Sequence, residues 1–246
     1  MATLRIKDIP FDADLVVFDK DGTLIDFEAM WGRRAVAWVE HLVAEIGDES
    51  LRSVLYDSLG YDVQRQRTRP QSPLAIATTR QLRTIAAAVL YRRGMPWTEA
   101  EDRTRHIFAD HTDLPLADLI RPTGDVVGLL ERLQARGVRV AIITTDYRAE
   151  TEETLHLMGI APLVDQVLCG DDGLPWKPAP DTLLIACKRL GIAPERVAVV
   201  GDTVADLLMA RRAGAGLSVA VLTGAGEREQ LAVYADVALN SIDEIT

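Results

Sequence analysis

The chain has 246 residues, of which 48% are hydrophobic and 26% charged, as is typical of a folded globular protein and not of a disordered chain or a coiled coil. Its formal net charge of −10 excludes a general electrostatic attraction to nucleic acid or to anionic lipid. No apolar run approaches the roughly 20 residues of a membrane-spanning helix. Two cysteines, Cys169 and Cys187, are too few for a disulfide framework and predict buried thiols in a cytoplasmic protein.

Four short apolar runs predict strands that are buried on both faces of a parallel sheet. They span residues 15–18, 138–143, 197–200 and 219–222. Helical patterns separate them, at residues 125–136, 148–158, 181–190 and 204–213, and a glycine follows each helix, as helix C-termini prefer. This alternation predicts an α/β fold with a doubly wound parallel sheet, whose ligands bind at the carboxyl ends of the strands.

Residues 26–118 interrupt the alternation. They show helical patterns and no convincing strand, and they are far longer than a normal connection between two elements. We therefore predict an inserted helical domain over 26–118, between the two parts of a core domain, 1–25 and 119–246. The predicted helices of the insert span residues 27–46, 49–59, 74–93 and 98–113.

The first predicted strand leads directly to two aspartates, Asp19 and Asp21, followed by Gly22. Side chains two residues apart on an extended strand point to the same side, so both carboxylates can serve one site. A simple turn is the alternative interpretation, because Asp-Gly is a common turn pair. Three other elements with matching chemistry favour a site.

Two of these elements carry a hydroxyl and an ammonium group. Thr144 follows the second predicted strand, where its hydroxyl can donate to a phosphoryl oxygen, although a helix cap is the alternative role there. Lys177 lies in a proline-rich loop. It is one of only four lysines, against 23 arginines, which indicates a need for a compact point charge.

The last element adds two acids. Asp202 follows the third predicted strand, and Asp206 comes one helical turn later. Asp202 could simply cap the next helix. Beside Asp19 and Asp21, however, these acids would repel one another unless a cation neutralised them. Carboxylate and carbonyl oxygens suit Mg²⁺, so we predict a magnesium site that involves all four aspartates.

Together these elements resemble the motifs of the haloacid dehalogenase superfamily. They are Asp-Lys-Asp-Gly-Thr at 19–23, the threonine at 144, the lysine before Pro-Ala-Pro-Asp at 177–181, and Gly-Asp-Thr-Val-Ala-Asp at 201–206. The resemblance covers the whole sheet domain, and the helical insert resembles the superfamily's helical cap. The nearest branch resembles the phosphoglycolate phosphatases and β-phosphoglucomutases, which implies a phosphoryl-transfer enzyme.

The resemblance also implies a role for each motif residue. Asp19 is then the nucleophile that forms an aspartyl-phosphate, and Asp21 is the general acid and later the general base. Lys177 lowers the repulsion between Asp19 and the phosphate dianion, and Thr144 binds a phosphoryl oxygen.

The remaining assignments concern the metal and the substrate. Asp202 binds Mg²⁺ by resemblance, with the backbone carbonyl of Asp21 as a further ligand. Asp206 either binds the metal as well or positions the active-site lysine. We also expect Thr23 and Thr145 to bind substrate.

The motifs also indicate which reaction of the superfamily this chain catalyses. The dehalogenase branch lacks the second aspartate, so Asp21 favours phosphoryl transfer. A phosphonatase needs a cap lysine, and residues 26–118 contain none. We predict a Mg²⁺-dependent phosphatase of a small phosphorylated metabolite, a monomer or homodimer without a nucleic acid or membrane partner. A phosphomutase of the β-phosphoglucomutase type and a non-catalytic regulatory protein that binds a phosphorylated metabolite are the alternatives.

Lys20 lies between the two aspartates, where a hydrophobic residue is common in the family. On strand alternation it points away from Asp19 and Asp21. We therefore expect it at the periphery of the site, without a chemical role.

Three arginines alternate in the most loop-like part of the insert. If that loop is extended, they present one positive face that can bind a carboxylate or a second phosphate of the substrate. A solvated basic loop is the alternative. The three residues are Arg65, Arg67 and Arg69.

Overall fold

The structure is a computed structural model that describes residues 2–109 and 114–246. It divides into two compact units. One comprises Met1–Phe27 with Ile120–Thr246, and the other comprises Glu28–Leu119. These boundaries differ by one or two residues from those predicted for the core and the insert.

The chain begins with β1 (Ala2–Ile6), β2 (Ile9–Ala13) and β3 (Leu15–Phe18). The inserted unit then contains α1 (Arg33–Ile46), α2 (Leu51–Leu59), β4 (Tyr61–Asp62), β5 (Arg67–Thr68), α3 (Pro73–Ile76), α4 (Thr79–Arg92), α5 (Trp97–Ala109) and α6 (Leu116–Leu119). The chain continues with α7 (Val126–Ala135), β6 (Arg139–Ile143), α8 (Arg148–Leu157), β7 (Gln166–Leu168), α9 (Asp181–Leu190), β8 (Val197–Gly201), α10 (Val204–Ala213), β9 (Leu217–Val221), α11 (Arg228–Leu231) and β10 (Val237–Leu239).

The main sheet has six strands in the order β10-β9-β8-β3-β6-β7, and all neighbours are parallel. Strand β3 lies between β8 and β6, with Phe18 opposite both Val200 and Ile142. These three strands are almost entirely buried, as their continuous apolar runs predict. The register brings their carboxyl ends to one edge of the sheet. The predicted α/β fold with a doubly wound parallel sheet is confirmed.

The helices that follow the strands of the sheet agree closely with the sequence patterns. Helices α9 and α10 have the predicted bounds, and the left-handed glycines Gly191 and Gly214 end them. A glycine has no β-carbon to clash in that conformation. Helix α10 starts with a capping box in which Thr203 and Asp206 each accept a backbone N–H of the other. The box places Asp206 at a fixed position in the first turn.

The inserted unit differs from its prediction in three places. Its first helical stretch opens as a π-helix at Glu28–Gly32 before α1 begins, and the predicted helix 74–93 is divided into α3 and α4. A two-residue antiparallel pair, β4 with β5, lies where no strand was predicted. The last predicted helix runs to residue 113, and its end at 110–113 lies outside the described residues.

Both cysteines are buried and form no disulfide, as predicted. Within residues 2–109 and 114–246, no helix has the length and apolar character needed to cross a membrane.

Candidate active site

Asp19 is the first residue after the central strand of the sheet. Its backbone N–H donates to the carbonyl of Val200 at 2.9 Å, which continues the β3–β8 ladder by one residue. The side chain emerges at the carboxyl edge of the sheet and is only slightly exposed. Burial raises the pKa of Asp19 to about 7, the ammonium of Lys177 opposes this shift, and Asp206 adds to it.

Lys177 lies between two carboxylates. Its Nζ donates to Asp19 Oδ1 at 2.5 Å and to Asp206 Oδ1 at 2.6 Å. Burial alone lowers the pKa of Lys177, but the two carboxylates raise it above its ordinary value. The lysine is therefore charged at neutral pH, although its side chain is only 6% exposed.

Asp206 connects this lysine to helix α10. One of its carboxylate oxygens accepts from Lys177, and the other accepts from the backbone N–H of Thr203 at 3.0 Å. The capping box thus fixes the carboxylate that holds the ammonium. Of the two roles predicted for Asp206, the positioning of Lys177 is the one with a direct contact.

Asp202 is fully buried at the end of β8. Its Oδ2 accepts from the backbone N–H of Ala225 at 2.8 Å, whereas its Oδ1 is buried without a hydrogen-bond partner among the described residues. Burial and the nearby carboxylates of Asp19 and Asp206 raise its pKa well above the ordinary value. A buried carboxylate oxygen without a partner is costly unless another group, such as a cation, satisfies it.

The residues present fit a magnesium ion. One oxygen from each of Asp19, Asp202 and Asp206 lies within 4.8 Å of the others. Carboxylate oxygens are suitable ligands for Mg²⁺, which usually takes few protein ligands and keeps several waters. The carboxylate of Asp21 is not in this group, so its assignment as a ligand through the backbone carbonyl stays a prediction.

Two glycines make room for Asp202. A β-carbon at Gly22 or at Gly224 would overlap the Asp202 carboxylate. Gly22 also has a φ of +88°, in the region that favours glycine. The hydroxyl of Thr223 donates to the carbonyl of Gly22 at 2.6 Å and ties the two loops together.

Lys20 does not lie where strand alternation predicts it. It is 0% exposed and not peripheral, and its Nζ lies 2.7 Å from Asp21 Oδ1 and 2.8 Å from Asp146 Oδ2. Alternation fails because the strand ends at Phe18 and the next residues form a turn, in which the carbonyl of Lys20 accepts from the backbone N–H groups of Leu24 and Ile25. Burial lowers the pKa of Lys20, but the two carboxylates raise it above the ordinary value.

Thr144 lies directly after β6, next to the loop that carries Asp146. Its hydroxyl accepts from the backbone N–H of Asp146 at 3.2 Å, which leaves the hydroxyl proton for an external acceptor. Thr144 does not cap a helix, because α8 starts after Tyr147 without a side-chain cap. Thr145 is partly exposed beside it. Thr23 is fully buried, and its hydroxyl has no hydrogen-bond partner among the described residues.

The three insert arginines do not form one extended row. Arg65 lies in the turn between β4 and β5 and pairs with Asp62 at 3.9 Å, and Gln66 has a φ of +51°. Arg67 and Arg69 lie on either side of buried Thr68, so the alternation holds only for these two. All three side chains are exposed. That they bind substrate stays a prediction.

Sequence reasoning missed several residues of this region. Asp146 was assigned no role in the site, whereas its carboxylate holds the buried Lys20. The room that Gly22 and Gly224 make for Asp202 could not be predicted, because it depends on loops far apart in sequence. The capping partner Thr203 could have been found, since a threonine three residues before an acid is a capping-box pattern.

Comparison with known proteins gives the family. A family model described as haloacid dehalogenase-like hydrolase matches residues 13–214. A phosphoglycolate phosphatase from Chromobacterium violaceum is 29% identical over 231 residues, which covers 94% of this chain and 93% of the relative. One from Neisseria meningitidis is 28% identical over 232 residues, covering 94% of this chain and 86% of the relative.

Solved structures share the fold. A predicted phosphoglycolate phosphatase from Haemophilus somnus superposes with a TM-score of 0.71 at 18% identity, covering 94% of this chain and 95% of that one. A HAD-superfamily hydrolase from Geobacter sulfurreducens superposes with a TM-score of 0.63 at 19% identity, covering 94% of this chain and 93% of that one. With the family match over most of its length, the chain belongs to the haloacid dehalogenase-like hydrolase family and is an enzyme of that family.

Proposed function

We propose that this hydrolase is a Mg²⁺-dependent phosphatase that acts on a small phosphorylated metabolite through an aspartyl-phosphate on Asp19. The observation that carries the proposal is the buried cluster in which Asp19 pairs with Lys177 beside Asp202, whose Oδ1 has no partner among the described residues. The phosphoglycolate phosphatase activity named for the relatives supports the same reaction.

Asp19 supplies the nucleophilic oxygen. Its Oδ1 is held by Lys177 at 2.5 Å, so the carboxylate has a fixed orientation when a phosphate monoester binds. The ammonium also offsets part of the repulsion between this carboxylate and the phosphate dianion. Attack of the carboxylate on phosphorus breaks the ester bond and forms an aspartyl-phosphate, which splits one difficult displacement into two easier ones.

Asp21 and Thr144 complete the transfer. Protonated Asp21 gives its proton to the leaving oxygen of the ester, and the resulting carboxylate then takes a proton from the water that hydrolyses the aspartyl-phosphate. The hydroxyl of Thr144, which accepts from the Asp146 N–H, donates its own proton to a phosphoryl oxygen. The two side chains come from the ends of neighbouring strands, β3 and β6.

Asp19, Asp202 and the backbone carbonyl of Asp21 are the proposed magnesium ligands. A magnesium ion held by these groups would offset the repulsion among the clustered carboxylates and stabilise negative charge on the transferred phosphoryl group. Asp206 contributes mainly through Lys177, because one of its oxygens holds the ammonium and the other closes the capping box.

The proposed substrate class is the phosphate ester of a small organic acid, with phosphoglycolate as its first candidate. The sheet unit already provides groups for the phosphoryl end, so selectivity for the rest must come from other residues. We assign this role to the inserted helical unit. Its exposed arginines in and after the β4–β5 turn can bind a carboxylate.

Phosphate release from p-nitrophenyl phosphate and from phosphoglycolate, each with and without Mg²⁺, tests the proposal. Turnover should require Mg²⁺ and should be abolished by Asp19→Asn, whereas Asp8→Asn, at an exposed turn position, should keep full activity. Release of inorganic phosphate from phosphoglycolate distinguishes a phosphatase from a phosphomutase. Absence of turnover on both esters would contradict the proposal and favour a non-catalytic binding protein.

A further inference from the structure

Two of the four lysines of this chain have buried side chains beside the aspartates proposed to be catalytic. Lys177 holds Asp19, and Lys20 holds Asp21, the proposed acid and base. The other two lysines, Lys7 and Lys188, are exposed. The proposed mechanism assigns a role to Lys177 but none to Lys20.

The burial of Lys20 needs an explanation. Removing an ammonium from water costs free energy, and apolar side chains in place of a whole buried ion pair are often at least as stable. The preceding strand residues Val17 and Phe18 are apolar and fully buried, whereas Lys20 places a buried charge between two carboxylates. The lysine must therefore contribute something other than packing.

The contacts of the Lys20 ammonium indicate what the residue contributes. The ammonium lies between Asp21 Oδ1 and Asp146 Oδ2, at 2.7 and 2.8 Å, so it joins the loop after β3 to the loop after β6. The backbone N–H of Asp146 in turn donates to the hydroxyl of Thr144. One continuous set of contacts thus connects Asp21 to the threonine proposed to bind the phosphoryl group.

Resting on the proposed phosphatase function, we propose that Lys20 and Asp146 are positioning residues that fix the carboxyl group of Asp21 for proton transfer to the leaving oxygen. One oxygen of Asp21 accepts a hydrogen bond from the ammonium, so rotation about its side-chain bonds breaks that bond in a site that solvent scarcely reaches. Asp146 holds the ammonium from the other side and balances its charge. Neither residue touches the substrate in this scheme.

The test compares two esters that depend differently on protonation. A p-nitrophenolate leaving group departs without a proton, whereas the alkoxide of an alkyl phosphate needs one from Asp21. The constant kcat/KM reports the steps up to formation of the aspartyl-phosphate, so it isolates the acid role. Lys20→Met should lower kcat/KM for phosphoglycolate roughly a hundredfold but that for p-nitrophenyl phosphate only a few-fold.

Three other variants complete the design. Lys188→Met makes the same substitution at an exposed position and should change neither constant. Asp146→Asn keeps an oxygen for the ammonium and should change the ratio of the two constants less than Lys20→Met does. If Lys20→Met fails to fold, the double variant Lys20→Met with Asp146→Leu removes both charges together, retains Asp21, and should show the same substrate-dependent loss.

Equal losses on both esters would overturn the inference and make Lys20 a structural residue, and so would the absence of a loss on either. A wild-type protein that hydrolyses neither ester would instead refute the proposed function on which the inference rests. The two failures are therefore distinguishable.

Discussion

Replacement of Lys177 by methionine tests the electrostatics of the site without a substrate. The ammonium is the group that holds both Asp19 Oδ1 and Asp206 Oδ1, and all three side chains are largely buried. Methionine has a similar length but no charge, so Asp19, Asp202 and Asp206 would face one another without their lysine. Removal of one partner from a buried ion pair costs about 3–5 kcal/mol of unfolding free energy. For a chain of this size, 3 kcal/mol lowers the Tm by roughly 6–12 °C.

The loss of unfolding free energy in Lys177→Met should increase with pH. Burial raises the pKa of Asp19 from 3.8 to about 7 even with the lysine present. A carboxyl group whose pKa is raised by folding binds more protons in the folded than in the unfolded state, so its folded form loses stability as the pH rises through that window. The variant should thus be least destabilised near pH 5 and most destabilised near pH 8.

The assay is urea denaturation of the metal-free protein across this pH range, with Lys188→Met as the exposed control. Mg²⁺ should restore part of the loss at high pH, because an ion that binds only the folded state adds about 2.7 kcal/mol at a hundred times its Kd. A Lys177→Met protein as stable as the wild type near pH 8 without metal would show that the ammonium does not stabilise this carboxylate cluster.

Three further predictions concern a loop glycine, the metal and the insert. Gly224→Ala should remove most of the activity, because the added β-carbon displaces the Asp202 carboxylate. Gly173 has open space around it but a φ of +74°, so Gly173→Ala should only lower the unfolding free energy by about 1 kcal/mol. Equal kinetic constants for the two variants would contradict this prediction. Chelation should stop turnover, Mg²⁺ should restore it, and Ca²⁺ should support it poorly because it prefers more ligands at longer distances; full activity after exhaustive chelation would exclude the metal site. Alanine at all three insert arginines should lower kcat/KM about ten- to a hundredfold more for phosphoglycolate than for p-nitrophenyl phosphate, with Arg92→Ala as control, and equal losses would indicate a role in stability only. The arginines are Arg65, Arg67 and Arg69.

The sheet and its helices were predictable because their signals are local. Buried parallel strands are continuous apolar runs, and Gly191 and Gly214 mark the ends of their helices. Strands β7 and β10 were missed, since they have three residues each and are only partly buried at the edges of the sheet. The hairpin β1–β2 was missed as well. It pairs with the C-terminal residues, and no local pattern reveals this pairing.

The site residues that directly follow a strand could be predicted from the sequence. Asp19, Asp202 and Thr144 each lie within one or two residues of the end of one of three neighbouring strands, so parallel pairing alone brings them together. Lys177 lies in a loop, and its contact with Asp19 was expected from the resemblance rather than from the sheet. The position of Lys20 could not be predicted, because its partner Asp146 is distant in sequence and the chain stops being extended at Phe18.

Identification of a covalent phosphoryl group on Asp19 is the most direct test of the proposed mechanism. The Mg²⁺-loaded enzyme is mixed with phosphoglycolate, quenched in acid within one turnover, digested, and analysed by mass spectrometry. We expect the added mass of one phosphoryl group on the peptide that carries Asp19 in the wild type and in Asp8→Asn, but no added mass on that peptide in Asp19→Asn. Rapid phosphate release without any phosphorylated Asp19 peptide, or a phosphoryl group on another residue, would contradict it.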